Sequence, residues 1–356
     1  MNDTAINPRL SVSPGISRWL VAERLSVAFT SYQTGRLLLM GVGPDGRLSF
    51  NKQNYTRAMG LHYDRGVLHL AAVSQVWRLE NGLMPGEYAH GLYDAMFVPR
   101  AAMQTGYLDA HDLAVDRTGR VVFVNTRFSC LATLDERFAF RPVWKPRCIS
   151  ALMPEDRCHL NGLAMADGAP RYATLVAPLD TAEAWREAPK DQGQLIDVTT
   201  DAVIAEGLWM PHSPRIHQGA VWLLDSGRGW LVRVDPASGA REDVVFCPGF
   251  SRGLALHGDH AVIALSQARH GDFGSLPLQA ELEARGESAW CGLVVVSLPE
   301  RRIIEHVRIE QGFTELYDVA LLPGVRNPMS VGPSTDEMLR MVRFAPDFAP
   351  IDPSQA

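Results

Sequence analysis

The sequence predicts an all-β fold, a six-bladed β-propeller, from three observations. Short β-branched runs are separated by turn residues along most of the 356-residue chain, which contains 30 glycines and 23 prolines. A unit of three strands recurs, and a fourth strand with its own signature recurs about every 52 residues, a spacing typical of propeller blades. We therefore expect one propeller domain over residues 1–356, with the blades at about 20–345.

The three-strand unit is clearest in two distant segments, residues 25–51 and 220–246. Each reads as a strand, a short turn, a strand, a turn that begins with proline and contains glycine, and a strand. Proline fixes φ and glycine permits positive φ, as tight reversals require. Residues 260–266 and 292–309 repeat the plan around an insertion.

The fourth strand precedes most copies of this unit, and we expect it to be the innermost strand of each blade. Its copies are MGLHY (59–63), HDLAV (111–115), NGLAM (161–165), HSPRI (212–216), RGLAL (252–256) and YDVAL (317–321). Little after the last copy predicts further strands, so the N-terminal strands are expected to close the last blade and remove exposed sheet edges. The alternative is an open β-sandwich array or two β domains. The sequence has no linker or shift in composition that supports it.

Charge and composition exclude several classes of protein. With 34 Lys and Arg against 40 Asp and Glu, the net charge is −6, and no basic cluster suits a nucleic acid. No apolar run approaches the ~20 residues of a membrane span, and the first 20 residues lack a secretory pattern. The five cysteines form no CxxC pair, so we expect reduced thiols in a cytoplasmic protein.

Side chains at the starts of the innermost strands are expected to gather at one face of the propeller, the mouth of the central channel. The first ring of such residues is Met59, His111, Asn161, His212, Arg252 and Tyr317. Residues two places earlier have the same pleat parity and are expected to point the same way. This second ring is Arg57, Asp109, His159, Met210, Phe250 and Glu315.

Three histidines on successive blades, His111, His159 and His212, are the most informative members of these rings. Three neutral imidazoles suit a divalent transition metal such as Zn²⁺ or Fe²⁺, rather than Ca²⁺, and leave coordination positions open. The alternative is that each is an ordinary hydrogen-bonded histidine of a polar channel.

The remaining ring members fit around such a metal. Arginines hold carboxylates or oxyanions, and Tyr or Glu transfers protons. The predicted site residues are therefore Arg252, Tyr317 and Glu315 for catalysis, and Arg57 and Asn161 for substrate binding. Asp112 and Asp318 are expected to orient the histidines. In the alternative interpretation, the two arginines neutralise Asp109 and Glu315, and Asp112 and Asp318 cap strand ends.

Two insertions, residues 178–192 and 267–289, lie between the second and third strands of their blades, a connection that emerges at the mouth. We expect them to act as lids that exclude water, or else to be surface loops. The second contains a segment of helix-forming composition, residues 276–285. A third long connection, residues 81–110, is expected to supply an aromatic wall or packing residues: Tyr88, His90, Tyr93, Phe97 and Tyr107.

The phrases HLNGLAM, HDLAVDRTGR and LLDSGRGWLVRVD carry a resemblance. Over nearly its whole length the chain resembles a bacterial family of conserved hypothetical proteins that look like six-bladed propellers, which implies the fold and no activity. It is distantly similar to gluconolactonase and regucalcin-type propellers, which hold a divalent ion such as Ca²⁺ with Glu and Asn or Asp. There Asn161 and, loosely, Glu315 match, whereas His111 and His212 depart from the pattern.

The three-histidine set is similar to that of the peptide amidating-lyase propellers, which hold zinc on three histidines near Arg and Tyr. Carotenoid-cleaving propellers, with Fe²⁺ on four histidines, are a further analogy. We expect a metal-dependent enzyme acting on a small molecule or peptide, a hydrolase or lyase with Zn²⁺ or an oxygenase or hydroxylase with Fe²⁺. The alternatives are a non-enzymatic protein- or peptide-binding scaffold and a calcium-dependent lactonase-like hydrolase.

Overall fold

Six β-sheets form the blades of a propeller in the computed structural model, which describes residues 9–344. The predicted fold class is therefore confirmed. The innermost strands of neighbouring blades contact one another around the whole ring and enclose the central channel. The expected domain of residues 1–356 extends past the described part at both ends, because residues 1–8 and 345–356 lie outside it.

Blade 1 joins the two ends of the chain. From the channel outwards it consists of β25 (Val319–Pro323), β2 (Leu25–Ser31), β3 (Arg36–Val42) and β4 (Leu48–Asn54). β25 pairs antiparallel with β2, from Pro323 opposite Leu25 to Val319 opposite Phe29. The N-terminal strands thus close the last blade, as the sequence predicted.

The other five blades follow in chain order. From the channel outwards, blade 2 consists of β5 (Leu61–Asp64), β6 (Val67–Ala71), β7 (Gln75–Asn81), β8 (Ala95–Gln104) and the parallel β26 (Pro328–Ser330). Blade 3 consists of β9 (Ala110–Val115), β10 (Val121–Asn125), β11 (Cys130–Thr133) and β12 (Arg141–Trp144). Blade 4 consists of β13 (Leu160–Ala166), β14 (Ala169–Leu175), β15 (Gly193–Asp197) and β16 (Val203–Leu208). Blade 5 consists of β17 (Pro211–His217), β18 (Ala220–Asp225), β19 (Trp230–Val234) and β20 (Arg241–Phe246). Blade 6 consists of β21 (Phe250–His257), β22 (His260–Ser266), β23 (Gly292–Ser297), β24 (Arg302–Gln311) and the outermost β1 (Arg9–Val12).

Burial explains the composition of these strands. Each blade packs against two neighbours, so its second and third strands are covered on both faces and read as continuous apolar runs instead of alternating ones. Every residue of β3, β10, β18 and β23 is buried. The outermost β12, in contrast, is mostly exposed.

Two α-helices are present among the described residues. α1 (Ile16–Glu23) buries Ile16, Trp19 and Leu20 against the core between blades 6 and 1. α2 (Pro277–Arg285) lies in the second insertion, where helical composition was predicted; it begins with a proline and ends at Gly286, whose φ is 63°. Short 3₁₀ helices occur at Ala184–Arg186 and Met338–Arg340. No helix in the described part of the chain is long and apolar enough to cross a membrane.

The expectation of a long connection over residues 81–110 was wrong. Residues Ala95–Gln104 form β8, the fourth strand of blade 2, which the sequence obscures because Pro99 interrupts an irregular apolar pattern. The remaining loop turns at the face opposite the mouth, where Tyr93 packs near Met338 and His90 contacts Glu337. Of the proposed aromatic wall, Phe97 is in the core and only Tyr107 lies at the mouth.

Hydroxyl groups connect successive blades near the mouth. In four blades a Ser or Thr within one residue of the end of the second strand donates a hydrogen bond to a backbone carbonyl of the next blade's inner segment. The pairs are Thr30 Oγ1 to Met59 O (2.7 Å), Thr126 Oγ1 to Leu160 O (2.6 Å), Ser226 Oγ to Ser251 O (2.7 Å) and Ser266 Oγ to Leu316 O (3.1 Å). These bonds fix the spacing between neighbouring inner strands.

A charge cluster in the channel, the hub (Arg215, Asp112 and Asp318), connects the inner strands; its two carboxylates are buried and its arginine is partly buried. Arg215 of β17 donates hydrogen bonds to both carboxylate oxygens of Asp112, at 2.8 and 3.3 Å, and lies 3.9 Å from Asp318. Its other donors reach the carbonyls of Leu163 and Leu254, each at 3.0 Å.

The carboxylates of the hub complete the circle by accepting backbone N–H groups. Asp112 accepts from Leu163 at 3.0 Å, and Asp318 accepts from Leu61 at 2.8 Å. Together, the residues of the hub and their hydrogen-bond partners come from the inner segments of all six blades. Burial, and then the charge of Asp112, raise the pKa of Asp318 to about 7. Burial acts to lower the pKa of Arg215, but the charges of the two carboxylates hold it above its usual value.

We expect Arg215→Met to lower the free energy of unfolding by about 3–5 kcal/mol, because Asp112 and Asp318 would stay buried without their cation. Chemical denaturation measures the loss. The matched control is Arg233→Met on β19, whose side chain is 45% exposed and lies 3.9 Å from Glu242; it is expected to cost less than about 1 kcal/mol. Equal losses in the two variants would contradict the role of the hub.

Candidate active site

Two of the predicted histidines occupy equivalent places on alternate blades. His111 follows a left-handed residue, Asp109 (φ 53°), by two positions, and His212 follows Met210 (φ 52°) in the same way. The ring nitrogen Nδ1 of His111 lies 2.9 Å from the carbonyl oxygen of Asp109, and that of His212 lies 2.8 Å from the carbonyl oxygen of Met210. The two side chains are therefore held by the same local device.

The hydrogen bonds assign the tautomer of both rings. A carbonyl oxygen only accepts, so Nδ1 must carry the proton. The second contacts agree, since Nδ1 lies 2.8 Å from Thr126 Oγ1 in His111 and 3.1 Å from Ser226 Oγ in His212. Those hydroxyls donate their own protons to the next blade and accept from the rings. Each Nε2 keeps a lone pair, and no described residue hydrogen-bonds to it.

Both rings are neutral at neutral pH. Burial lowers the pKa of His111 below its usual value, against an opposing effect of Asp109. Burial and then the charge of Arg252 lower the pKa of His212 well below its usual value. A neutral ring with a free Nε2 is able to accept a proton or bind a metal.

His159 is not held in this way, and the assumption of shared pleat parity fails there. Its φ is 49°, so it lies in a turn and not in extended strand. Nδ1 is 2.9 Å from Asp156, whose carboxylate also accepts a hydrogen bond from Trp185 Nε1 at 3.0 Å. The His159 ring stacks on Trp185 with 3.9 Å between centroids, and it meets His111 edge-on at 4.9 Å.

The predicted metal site stays a prediction. Three neutral imidazoles are suitable donors for Zn²⁺ or Fe²⁺, but His159 comes from a different backbone position from His111 and His212. Within residues 9–344, no group of three or more His, Cys, Asp or Glu side chains is placed to hold a metal ion. The donor chemistry fits a metal, whereas the spacing of the three rings does not.

Two of the predicted catalytic residues, Tyr317 and Arg252, lie next to His111 in a row of side chains along the mouth. The Tyr317 ring lies 5.5 Å from His111, and the Arg252 guanidinium lies 5.7 Å from Tyr317. Phe250 links the other side, at 5.0 Å from Arg252 and 5.7 Å from His212. Five of the predicted residues, His159, His111, Tyr317, Arg252 and His212, thus form one contiguous arc.

Glu315 lies beside this arc as an ion-pair partner. Its Oε2 accepts from Arg269 Nε at 2.7 Å and is 3.6 Å from Arg252. Glu315 thus neutralises nearby arginines, as expected if it is a structural ion-pair partner. Arg57 is farther out, with its guanidinium over the rings of Tyr32 (5.3 Å) and Tyr107 (5.8 Å).

Two buried polar atoms at the mouth have no hydrogen-bond partner, the hydroxyl of Tyr317 and the amide nitrogen Nδ2 of Asn161. Asn161 is oriented by Thr174, which donates to its Oδ1 at 2.8 Å. Burial and then the charge of Asp109 raise the pKa of Tyr317 well above its usual value, so the phenol stays protonated. Unpaired buried donors of this kind are uncommon in folded proteins and suit an acceptor on a ligand.

Both insertions reach the arc. The first supplies Trp185, which covers His159. The second supplies Phe273, stacked on Phe250 with 6.3 Å between centroids, and Arg269, which binds Glu315. The histidines are consequently shielded, and His212 is only 5% exposed.

The expectation that Asp112 and Asp318 orient the histidines was wrong. Each follows a mouth residue by one position, so each points away from the mouth and binds Arg215 and backbone N–H groups. The true orienting groups, Thr126 and Ser226, were missed, together with Trp185. Their signal in the sequence is the recurrence of Ser or Thr at the end of second strands.

Comparison with known proteins supports the fold. A family model described as a domain of unknown function (DUF4915) matches residues 14–331. No curated protein matches the sequence. A solved structure titled "Crystal structure of Nidogen/Laminin Complex" contains a chain that is similar in fold, with a TM-score of 0.54 and 11% identity, covering 84% of this chain and 99% of that one.

We expect the neutral His212 to make the protein less stable in acid. Its folded pKa is lowered below the unfolded value of about 6.5, so the unfolded state binds more protons and stability is lost as the pH falls below about 6.5. His212→Gln should reduce the slope of unfolding free energy against pH in this range, by up to about 1.4 kcal/mol per pH unit. Denaturation between pH 5 and 7.5 measures it.

The control for this measurement is the exposed residue His270, changed to Gln. His270→Gln should leave the slope as in the parent. A His212→Gln slope equal to that of the parent would show that His212 is not held neutral.

Proposed function

The chain belongs to the DUF4915 family, and we propose that it is an enzyme whose active site is the mouth of the channel and whose substrate is a small molecule with an anionic group. One observation carries the proposal: neutral imidazoles with free Nε2 atoms lie in one arc with a partly buried arginine and an unpartnered tyrosine hydroxyl. A base, a proton donor and an anion-binding group together are what acid–base catalysis requires.

Arg252 is the group that would bind the anion. Its side chain is only 17% exposed, and its partial burial and then the charge of Arg269 lower its pKa from the usual value. Its carboxylate partner, Glu315, is 3.6 Å away and is shared with the closer Arg269 at 2.7 Å. A partly buried cation with so little compensation is stabilised when a carboxylate or oxyanion binds beside it.

The neighbouring side chains would carry out proton transfer. His111 Nε2 would accept a proton from the substrate or from water, and Asp109, 3.8 Å from Nδ1, would stabilise the resulting imidazolium. Tyr317, held protonated, would donate a hydrogen bond to the oxygen on which negative charge develops. Trp185 and Phe273 would exclude water from the reacting groups.

A metal-dependent enzyme is the second candidate. It is favoured by the Nδ1 hydrogen bonds of all three histidines, because metal-binding histidines donate their other ring N–H to a carbonyl, hydroxyl or carboxylate. Zn²⁺ would supply a hydroxide for hydrolysis or elimination, and Fe²⁺ would supply oxidative chemistry. His159 would have to turn from its stack on Trp185 to join His111 and His212.

We also propose a cytoplasmic location. All five cysteines are free, four of them buried, as expected of a protein in a reducing compartment.

We expect small carboxylates to raise the melting temperature of the parent protein, and the corresponding neutral amides to have no effect, because Arg252 binds the charge. Arg252→Gln should reduce carboxylate affinity at least tenfold, a loss of about 1.4 kcal/mol. Arg233→Gln, a change of an exposed arginine on β19, is the control. Carboxylate affinity that is unchanged by Arg252→Gln would contradict the proposed role of Arg252 and favour the non-enzymatic scaffold.

Elemental analysis of the purified protein separates the two enzyme candidates. If the metal candidate is right, we expect near-stoichiometric Zn or Fe in the parent, lost in the His111→Ala/His212→Ala variant with the circular dichroism spectrum preserved. If the parent contains no metal, even after anaerobic reconstitution, the metal candidate is contradicted and metal-independent acid–base catalysis is the remaining enzyme candidate.

A further inference from the structure

We infer that the mouth contains a second anion-binding subsite, formed by Arg57 and Arg127, so that the substrate is a small molecule with two anionic groups. This inference rests on the proposed function, in which Arg252 binds the first group. The second subsite lies on the rim (Tyr32, Arg57, Tyr107 and Arg127), at the side of the mouth formed by blades 1, 2 and 3.

Stacking on aromatic rings holds the two rim arginines. Arg57 and Arg127 share the ring of Tyr107, each with its guanidinium carbon 5.8 Å from the ring centroid. Arg57 also lies over Tyr32, with its guanidinium carbon 5.3 Å from the ring centroid. A guanidinium stacked in this way keeps its remaining N–H groups directed at a planar anion, as carboxylate and phosphate recognition requires.

The charge balance of this region leaves room for two negative groups. Four arginines face it, Arg57, Arg127, Arg252 and Arg269. Among residues 9–344, Glu315 is the only carboxylate that forms an ion pair with any of them, and it pairs with Arg252 and Arg269. Asp109, the other carboxylate at this side, faces His111. Arg57 and Arg127 therefore have no anionic partner of their own.

Tyr32 and Tyr317 connect the two subsites. Their rings lie 6.0 Å apart, with Arg57 over Tyr32 and Arg252 over Tyr317. A substrate anchored at Arg252 and reaching Arg57 would lie along this pair of rings, with its middle beside His111. The fitting chemistry is a short dicarboxylate, or a carboxylate that also bears a phosphate.

Matched pairs of ligands test the subsite: succinate, glutarate and adipate against butyrate, pentanoate and hexanoate, at constant ionic strength. We expect at least one dicarboxylate to bind the parent about tenfold more tightly than its monocarboxylate partner, as measured by ligand-detected NMR or thermal shift. Arg57→Gln should bring that ratio near one. Arg137→Gln, an arginine stacked on Phe138 at the opposite face, is the control and should leave the ratio unchanged.

Variants at Arg252 separate this inference from the proposed function. Arg252→Gln, with Arg252→Lys as a second variant in case the first fails to fold, should weaken both members of each pair. If it weakens neither, the proposed function fails. If monocarboxylate binding depends on Arg252 but no dicarboxylate exceeds its partner, or Arg57→Gln leaves the ratio intact, the second subsite is overturned.

Discussion

The contact of Arg215 with Asp112 and Asp318 is the constraint on which the rest of the structure depends. A ring of six blades closes only if its inner strands keep a common distance from the axis, and hydrophobic packing between blades is too non-directional to impose that distance. The hub does so with directional bonds, because one guanidinium and two carboxylates reach the inner segments of all six blades. A buried cluster of this kind is costly to desolvate, so its benefit lies in fixing geometry more than in net stability.

The hub also determines where the mouth begins. Asp112 follows His111 and Asp318 follows Tyr317, so alternation along each inner strand sends one side chain into the hub and the preceding one to the mouth. A cavity of about 600 Å³ at the opposite end of the channel is lined by Arg215 and by none of the arc residues. The hub therefore lies between this cavity and the arc. The hydroxyls of Thr126 and Ser226 donate hydrogen bonds to the next blade and accept them from His111 and His212. The contacts that space the inner strands therefore also hold the proton of each imidazole on Nδ1.

The sequence was informative wherever the chain is regular. The sequence repeat predicted the inner strands and the closure of the last blade. It also predicted the two insertions and the positions of His111 and His212. It failed where the backbone leaves the extended region, because His159 at φ 49° does not obey strand parity. It also failed for Arg215, whose partners Asp112 and Asp318 are about a hundred residues away in either direction, a relation that no local pattern encodes. Trp185 was missed for the same reason, since only the fold brings its loop over His159.

The two partly buried arginines of the channel differ in how well their charges are compensated. Arg215 is saturated: carboxylates and carbonyls take its donors, and the neighbouring charges hold its pKa above the usual value. Arg252, on the adjacent blade, is as deeply placed but has a lowered pKa, one shared carboxylate and a second arginine nearby. A cation that is mostly removed from water with so little compensation contributes nothing to stability. A bound anion would supply the compensation that Arg252 lacks in the free protein. Our proposal that the mouth binds an anionic substrate rests on this imbalance more than on the histidines.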